Sequence, residues 1–186
     1  ADAQLSDFGL NLGGAVLRNQ SFININGLGA HAAMRGANIL KGKEHADATL
    51  FLDHAAERSE SKALFKSVLD DSSQAVFQGK ILVRPGAQKT DARMMARTLL
   101  LSEGAQANCK PELEIFADDV QCAHGSTVGA LDENLIFYLM ARGIPQAEAQ
   151  SLLTEAFIGE VIDAVANRSV RDALSALVSE RLRMRP

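Results

Sequence analysis

The chain has 186 residues, of which 47% are hydrophobic and 23% charged, a composition typical of a globular protein with a substantial core. No apolar run approaches the roughly 18 residues that cross a bilayer, and the N-terminus lacks the plan of a signal peptide, so neither membrane insertion nor secretion is expected. The formal net charge of −4 argues against a nucleic-acid partner, and two cysteines are too few for a disulfide framework, which favours a reducing cytoplasm.

Short apolar stretches separated by turn residues fill the first 130 residues, which also hold twelve of the 14 glycines. This pattern predicts an all-β sandwich, barrel or solenoid. Residues 61–69 differ, because their apolar side chains have helical spacing, and the pattern alone favours a short helix there. The predicted strands cover residues 22–25, 38–40, 49–52, 75–77, 80–83, 98–101, 112–116 and 119–122.

Residues 131–186 have a helical pattern. Asp132 is predicted to cap a helix over residues 134–142 that Gly143 ends. Pro145 suits the first turn of a second helix. The apolar stripe of this second helix is predicted to consist of Ala149, Leu152, Leu153, Ala156, Phe157, Val161, Ile162 and Val165.

A third helix is predicted from the capping-box-like pair Ser169 and Asp172. Cationic side chains are favourable at the C-terminal end of a helix, which is where the tail places Arg181, Arg183 and Arg185. The buried face of this helix is predicted to consist of Val170, Leu174, Leu177 and Val178. Three helices of this size could form a small bundle or a docking module, and the residues do not decide between the two.

A thiol and an imidazole lie two residues apart, at Cys122 and His124. In an extended chain these side chains share one face with Val120. Sulfur and nitrogen ligands together can hold iron, zinc or an iron–sulfur species. The alternative is that the small thiol packs within a strand and the histidine lies at the end of that strand. The Cys-x-His spacing alone favours this alternative. Cys109 is interpreted as an ordinary loop thiol whose thiolate Lys110 could only mildly favour.

Two glycine patterns resemble nucleotide-binding motifs without meeting their requirements. Residues 27–32 match a variant of the dinucleotide fingerprint, but Gly36 and Gly42 interrupt the helix that must follow. Residues 36–44 have the wrong spacing for a phosphate-binding loop and no Ser or Thr after Lys43. Neither pattern predicts nucleotide binding.

One polar cluster offers nitrogen and oxygen ligands within eleven residues, and such a set could hold zinc or manganese. The favoured alternative is that Asp53 and His54 close a turn through hydrogen bonds from side chain to backbone. The cluster consists of Glu44, His45, Asp47, Asp53 and His54.

Several motifs, taken in order, resemble the SufB/SufD family of iron–sulfur cluster assembly scaffolds. The likeness runs from about residue 20 to near the C-terminus, and the pairing of Gly-Ala-Gln-Lys-Thr-Asp-Ala with Cys-x-His-Gly is its most specific part. The segments that carry it lie at residues 52–56, 75–81, 83–92, 111–125 and 137–144.

The resemblance implies a mainly β fold with α: a right-handed parallel β-helix over residues 1–130, followed by a small C-terminal helical domain over residues 131–186. It converts residues 61–69 to a strand. The sequence begins at Ala1 and not at Met, so we expect a fragment, and the resemblance implies that an N-terminal helical part is missing from it.

The resemblance further implies a non-catalytic scaffold subunit of the SUF machinery. Such a subunit would pair with a SufB-like subunit, or alternatively with its own copy, and would dock a SufC-like ABC ATPase through residues 131–186. Gly125 after His124, and Ala105 where the SufB type carries a reactive cysteine, indicate the SufD type.

The resemblance assigns His124 to the subunit interface where a transient iron–sulfur cluster forms. Cys122 also matches the SufD pattern, with packing as its alternative role. No stably bound cofactor is expected in the fragment, and the identity of any bound metal stays open.

Two other functions remain open at this point. A carbohydrate-acting β-helix enzyme would place acidic and basic residues on a groove rich in aromatics, whereas this chain has one Tyr and no Trp. A purely structural, self-assembling β-solenoid would form polymers.

Overall fold

The computed structural model describes residues 1–183, which form nine strands and three helices. Strands β1 to β9 comprise Gln4–Asn11, Val16–Ile25, His31–Leu40, His45–His54, Glu60–Leu69, Gln74–Val83, Asp91–Leu100, Gln106–Ile115 and Gln121–Ala130. Helices α1, α2 and α3 comprise Glu133–Met140, Gln146–Ile162 and Arg168–Arg183. None of these three helices is long and apolar enough to cross a membrane.

The strands wind into a parallel β-solenoid of about four turns, which confirms the expected β-helix architecture. Sheet A contains β1, β3, β5, β7 and β9 in that order, and sheet B contains β2, β4, β6 and β8. His31 pairs with Glu60, 29 residues further on, and Asp53 binds Arg84, 31 residues further on. One coil therefore takes about 30 residues, within the range of known structural repeats.

Tight corners join the strands, and several contain a residue with left-handed backbone. Gly42 has φ 63°, and the non-glycine residues Arg58, Asp71 and Lys89 have φ values of 55°, 55° and 62°. Such values are uncommon outside glycine and occur mostly in turns. The backbone N–H of Gly42 donates to Asp71 Oδ2 at 2.8 Å, so successive corners also bind one another.

Most strands are longer than the sequence predicted. The segments 75–77 and 80–83 join into the single strand β6, and β1 was not predicted at all. The helix favoured by pattern at residues 61–69 is wrong, because this segment is strand β5, as the family resemblance implied. Leu64 and Val68 face the helices outside the solenoid, whereas Phe65 and Leu69 face its interior. Because both faces of this strand are buried, its apolar residues have the spacing expected of a helix.

Side chains alternate between the interior and the outer surface along each strand. The interior is filled mainly by small and aliphatic residues whose in-register repetition continues from coil to coil. Its main cluster contains Met34, Ala48, Leu50, Leu52, Ala63, Phe77, Ile81, Val83, Ala87, Ala92, Met94, Ala96 and Ala117.

Helices α2 and α3 cover the outer face of sheet A. Ile158, Val161 and Ile162 of α2 and Val178 and Leu182 of α3 are buried there. They pack against strand residues that include Ala37, Ile39, Val68 and Leu99. The solenoid and the helices thus share a core, and the expected division into domains at residue 130 stays a prediction.

The helix ends agree in part with the predictions. Asp132 caps α1 by accepting a hydrogen bond from the Asn134 N–H at 2.8 Å, and Gly143, with φ 86°, follows that helix as predicted. The predicted cap of α3 at Ser169 is wrong: Asn167 Oδ1 accepts from the Val170 N–H at 3.2 Å. An Asn immediately before a helix supplies the same oxygen as Ser, two residues earlier.

The predicted buried stripes are also partly wrong. Leu152 and Ala156 of α2 and Val170 and Leu177 of α3 are exposed, and Val165 lies beyond the end of α2. Thr154 and Ile158 of α2 are buried instead of Leu152 and Ala156, and the Thr154 hydroxyl is satisfied by donating to the Gln150 carbonyl. Arg181 forms an ion pair of 2.6 Å with Glu44 at the corner between β3 and β4. Arg183 ends α3 as expected, and Arg185 lies outside the described residues.

A buried lysine ties α2 to sheet A. Lys66 of β5 is 1% exposed, and its Nζ lies 2.5 Å from Glu160 Oε2 and 2.5 Å from the Phe157 carbonyl oxygen. The Phe157 ring lies 4.3 Å from the same nitrogen, and Arg97 approaches Glu160 at 3.2 Å. The hydrogen bond from Lys66 lowers the pKa of the Glu160 carboxyl. A buried cation needs such a partner, so Glu160 fixes the position of α2.

We predict that Glu160→Ala lowers the free energy of unfolding by about 3 kcal/mol, because it removes the carboxylate of a buried ammonium group. Lys66→Met combined with Glu160→Ala should cost less than Glu160→Ala alone. Glu114→Ala is the matched control, since it breaks the more exposed pair with Lys80 at 2.6 Å and should cost at most about 1 kcal/mol. Urea unfolding measures all three variants. Equal losses for Glu160→Ala and Glu114→Ala would contradict the assignment.

Candidate functional site

Strand β9 carries both residues of the Cys-x-His pair. Cys122 pairs with Ala92 and His124 with Met94 of β7, and these two partners are buried in the solenoid interior. In parallel pairing, the side chains of in-register residues point in the same direction and form a column from coil to coil. Cys122 and His124 therefore continue two columns that point inward. The predicted common face is therefore present, and it points to the inside of the last coil.

Strand β8 brings a second thiol to the same coil. Cys109 pairs with Phe77, and Leu113 with Ile81, both of which are interior residues of β6. The interpretation of Cys109 as a loop thiol is wrong. Pro111 interrupted the apparent strand in the sequence, yet proline is tolerated in an edge strand. The period-two spacing of Cys109, Pro111 and Leu113 was the signal that could have revealed the strand.

Both thiols are half-buried and pack against the interior cluster. Burial raises the pKa of Cys109, against a smaller lowering by a hydrogen bond with Thr98. Burial also raises the pKa of Cys122, against a hydrogen bond with the backbone of Ala92. Lys110 pairs instead with Glu112 at 2.8 Å. In the isolated chain at neutral pH, both sulfurs are therefore protonated thiols and weak ligands.

The coil that holds these side chains is open to one side. Within residues 1–183, β8 pairs only with β6 and β9 only with β7, so each has an edge of backbone groups without a strand partner. His124 is exposed, and so are the apolar side chains of Ile115, Phe116 and Val128. An exposed edge with apolar side chains is a surface suited to pairing with another chain.

A polar column crosses the interior and ends at this coil. Asn11 donates to Asn38 Oδ1 at 2.7 Å, and Asn38 donates to Ser67 Oγ at 2.9 Å. Thr98 continues the column by its pairing with Ser67 and bonds to Cys109. Because each buried polar group needs its neighbour in the adjacent coil, this column fixes the register of the strands.

The two residues that indicate the SufD type, Gly125 and Ala105, pack in different ways. Gly125 faces outward beneath Met95, and a methyl group added there would lie 2.8 Å from Met95 Cε. Ala105 is 5% exposed and packs in the core at the corner before β8. Gly125 thus lets Met95 lie over β9, and Ala105 fills a core position.

The polar cluster at residues 44–54 has structural partners, but the predicted hydrogen bonds from Asp53 and His54 to the backbone are wrong, because both residues end β4 and bond to side chains. Glu44 binds Arg181, and Asp53 accepts hydrogen bonds from Arg84 at 2.9, 3.3 and 2.7 Å. The Arg84 guanidinium lowers the pKa of Asp53 through these bonds. In the part of the chain that the structure describes, no group of three or more His, Cys, Asp or Glu side chains is placed to hold a metal ion.

His54 lies at the centre of a buried hydrogen-bond network. Its Nδ1 is 2.7 Å from Ser59 Oγ and its Nε2 is 2.8 Å from Ser61 Oγ. Ser59 Oγ donates to the Ala56 carbonyl, so His54 donates from Nδ1 and accepts at Nε2. Burial lowers the pKa of His54 to about 4, against a smaller opposing effect of Asp53. The imidazole is therefore neutral and holds the corner between β4 and β5.

The glycine patterns do not form nucleotide sites. Residues 27–32 form the corner between β2 and β3, with Gly29 at φ 65°, and no helix follows them. Residues 36–44 run from the middle of β3 through the next corner. Both patterns serve the solenoid, in agreement with the sequence interpretation.

Comparison with known proteins gives this geometry a family. A model described as "SUF system FeS cluster assembly, SufBD core domain" matches residues 1–157. The chain belongs to the SufBD family. The match includes all nine strands, α1 and most of α2, so the SufBD core comprises the open coil with Cys122 and His124.

Curated SufBD relatives are similar over most of this chain. It is 36% identical over 181 residues to the iron–sulfur cluster assembly protein SufD of Escherichia coli, which covers 97% of this chain and 43% of that protein. A SufBD family protein of Synechocystis is 41% identical over 145 residues, covering 77% and 32%. SufD of Bacillus subtilis is 29% identical over 174 residues, covering 94% and 39%. The chain thus spans less than half the length of these relatives.

The His54 network predicts a specific dependence of stability on pH. The pKa of His54 is lower in the folded protein than in the unfolded chain, so the unfolded chain binds more protons between about pH 6.5 and 4, and stability falls as the pH falls through this window. His54→Gln should reduce the loss of unfolding free energy across this pH window by about 3 kcal/mol. Unfolding titrations at several pH values measure it. An unchanged slope in His54→Gln would contradict the assignment.

Proposed function

We propose that this chain is a scaffold subunit of the SUF machinery that shares a nascent iron–sulfur cluster with a partner subunit across its last coil. The observation that supports this most strongly is the open coil itself, which combines two inward columns, a free backbone edge and exposed apolar side chains. Membership of the SufBD family supplies the reaction class.

The proposed partner at this coil is a SufB-like subunit. Edge strands β8 and β9 would pair with strands of the partner and complete their hydrogen bonds, while Ile115, Phe116 and Val128 would leave water. A second copy of this chain is the alternative occupant of the same edge.

The cluster is the cargo of this reaction. His124 and, with less exposure to solvent, Cys122 would contribute ligands, and the partner subunit would complete the coordination. A ligand set divided between two chains can be taken apart by moving the interface, which suits a scaffold that must release its product. Ligation by Cys122 also requires that its thiol lose a proton. Because burial raises the pKa of this thiol, ligation is favoured at higher pH.

Residues 131–186 are the proposed docking region for a SufC-like ABC ATPase. Two of their helices are fixed to the solenoid, α2 to sheet A through the Lys66–Glu160 ion pair and α3 to the corner between β3 and β4 through the Glu44–Arg181 ion pair. Movement of the helices would therefore act on the solenoid directly. In this proposal the ATPase supplies the energy, and this chain is not itself a catalyst.

Membership of the SufBD family favours cluster assembly over the carbohydrate-acting enzyme and the purely structural solenoid that the sequence left open.

We predict that His124→Ala, combined with a SufB-like subunit and a SufC-like ATPase, slows cluster assembly by about tenfold or more, because an exposed ligand is lost without any loss of packing. Iron–sulfur absorbance and circular dichroism follow the reaction. His31→Ala is the matched control: this histidine is 46% exposed on the outer face of sheet A and should assemble clusters at the wild-type rate.

Size-exclusion chromatography must show that both variants still bind the two partners. Assembly by His124→Ala at the rate of His31→Ala would contradict the role of His124. A larger loss in Cys122→Ser than in His124→Ala would make the thiol the principal ligand instead.

A further inference from the structure

The corner between β2 and β3 contains the dipeptide Asn26-Gly27. Asn26 is the only asparagine of the chain that a glycine follows. Asn26 is exposed, Gly27 is half-buried, and both lie outside the strands. In this dipeptide the side-chain amide is open to attack by the next backbone nitrogen, because glycine has no Cβ to shield that nitrogen. The sequence therefore marks this corner as a candidate site of chemical modification.

The fold leaves both reacting groups free. In the described part of the chain, neither the Asn26 side-chain amide nor the Gly27 N–H has a hydrogen-bond partner. The Gly27 carbonyl, by contrast, accepts from the Ala30 N–H at 3.2 Å, and Gly29 has a left-handed φ of 65°. These features close the turn without using the Gly27 nitrogen. That nitrogen therefore has no competing acceptor beside the neighbouring side chain.

We propose that Asn26 is a site of spontaneous deamidation in the folded protein. The Gly27 nitrogen loses its proton to hydroxide and attacks Asn26 Cγ, so that a C–N bond forms. The side-chain nitrogen takes a proton from water and leaves as ammonia. Water then opens the resulting cyclic imide at either carbonyl carbon, giving aspartate or isoaspartate, whose backbone runs through Cβ and Cγ. Water is the only co-reactant, and no atom is oxidised or reduced.

The products change the corner in two ways. Isoaspartate adds one methylene group to the backbone close to the Leu28 carbonyl, which accepts from the Asp2 N–H at 2.8 Å. Both products add a carboxylate to a corner where Asp2 Oδ1 already lies beside Gly29, and like charges repel each other. The Asp2 bond holds the residues just before β1, and among residues 1–183 β1 has a strand partner on one side only. Deamidation therefore loosens the start of β1.

The test incubates the whole chain at neutral and at alkaline pH and follows each asparagine by peptide mapping with mass spectrometry. Asn26 should convert about tenfold faster than Asn24 or more, because Asn24 is equally exposed but lies in β2 before the β-branched Ile25. Asn24 is thus a matched internal control. Conversion should accelerate with pH, because the Gly27 nitrogen attacks only after it loses its proton. Equal rates at Asn26 and Asn24 would overturn the proposal.

Gly27→Ala tests the attacking nitrogen without disturbing the fold. A Cβ at this position would lie 3.6 Å from its nearest neighbours, the Ala1 nitrogen and Ala30 Cβ, which is ordinary van der Waals contact. The added methyl group shields the nitrogen, so conversion of Asn26 should slow by about tenfold or more. Circular dichroism checks that the variant is folded. Conversion at the wild-type rate would contradict attack by this nitrogen.

Comparison with the unfolded chain tests the contribution of the fold. In urea, Asn26 should convert within about threefold of its rate in the folded protein, because a corner without protecting hydrogen bonds need not open to react. Conversion more than about tenfold slower in the folded protein would overturn the site.

The variant Asn26→Asp reproduces the added charge. Amide hydrogen exchange at the start of β1 should be faster in this variant than in the wild type, because repulsion from Asp2 weakens the corner. Exchange in β9, at the opposite side of sheet A, should be unchanged. Wild-type exchange in β1 would overturn the effect of the carboxylate on this strand.

Discussion

The structure depends on the stacking of parallel coils in one register. Each coil satisfies its backbone hydrogen bonds and buries its inward side chains only against the coils beside it, as the pairings of β3 with β5 and of β5 with β7 illustrate. The last coil has such a neighbour on one side only. Cys109, Cys122 and His124 therefore continue interior columns that end at the open side of this coil.

The same constraint explains why the helices belong to the structure. Sheet A has apolar residues on both faces, so its outer face needs a cover, which α2 and α3 provide. Lys66 brings a buried charge to that face, and Glu160 neutralises it from α2. Helices α2 and α3 therefore form one packed unit with the solenoid.

Much of this could be predicted from the sequence, and the failures have physical causes. Period-two alternation placed Cys122 and His124 on one face, and Asp132 and Gly143 marked the ends of α1. Residues 61–69 could not be assigned from pattern, because apolar burial on both faces of a strand removes its alternation. Cys109 was hidden by Pro111, which only an edge strand tolerates. The left-handed corners at Arg58, Asp71 and Lys89 have no glycine to mark them.

The central claim is that the open edge of β8 and β9 pairs with another subunit, and amide hydrogen exchange tests it most directly. On addition of a SufB-like subunit, the amides of β8 and β9 should exchange at about one tenth of their original rate or more slowly still, because the unpaired edge groups become hydrogen-bonded. The amides of β1, at the opposite side of sheet A, should keep their rates. Protection confined to β1 and β2, or unchanged exchange in β8 and β9 within a stable complex, would contradict the account.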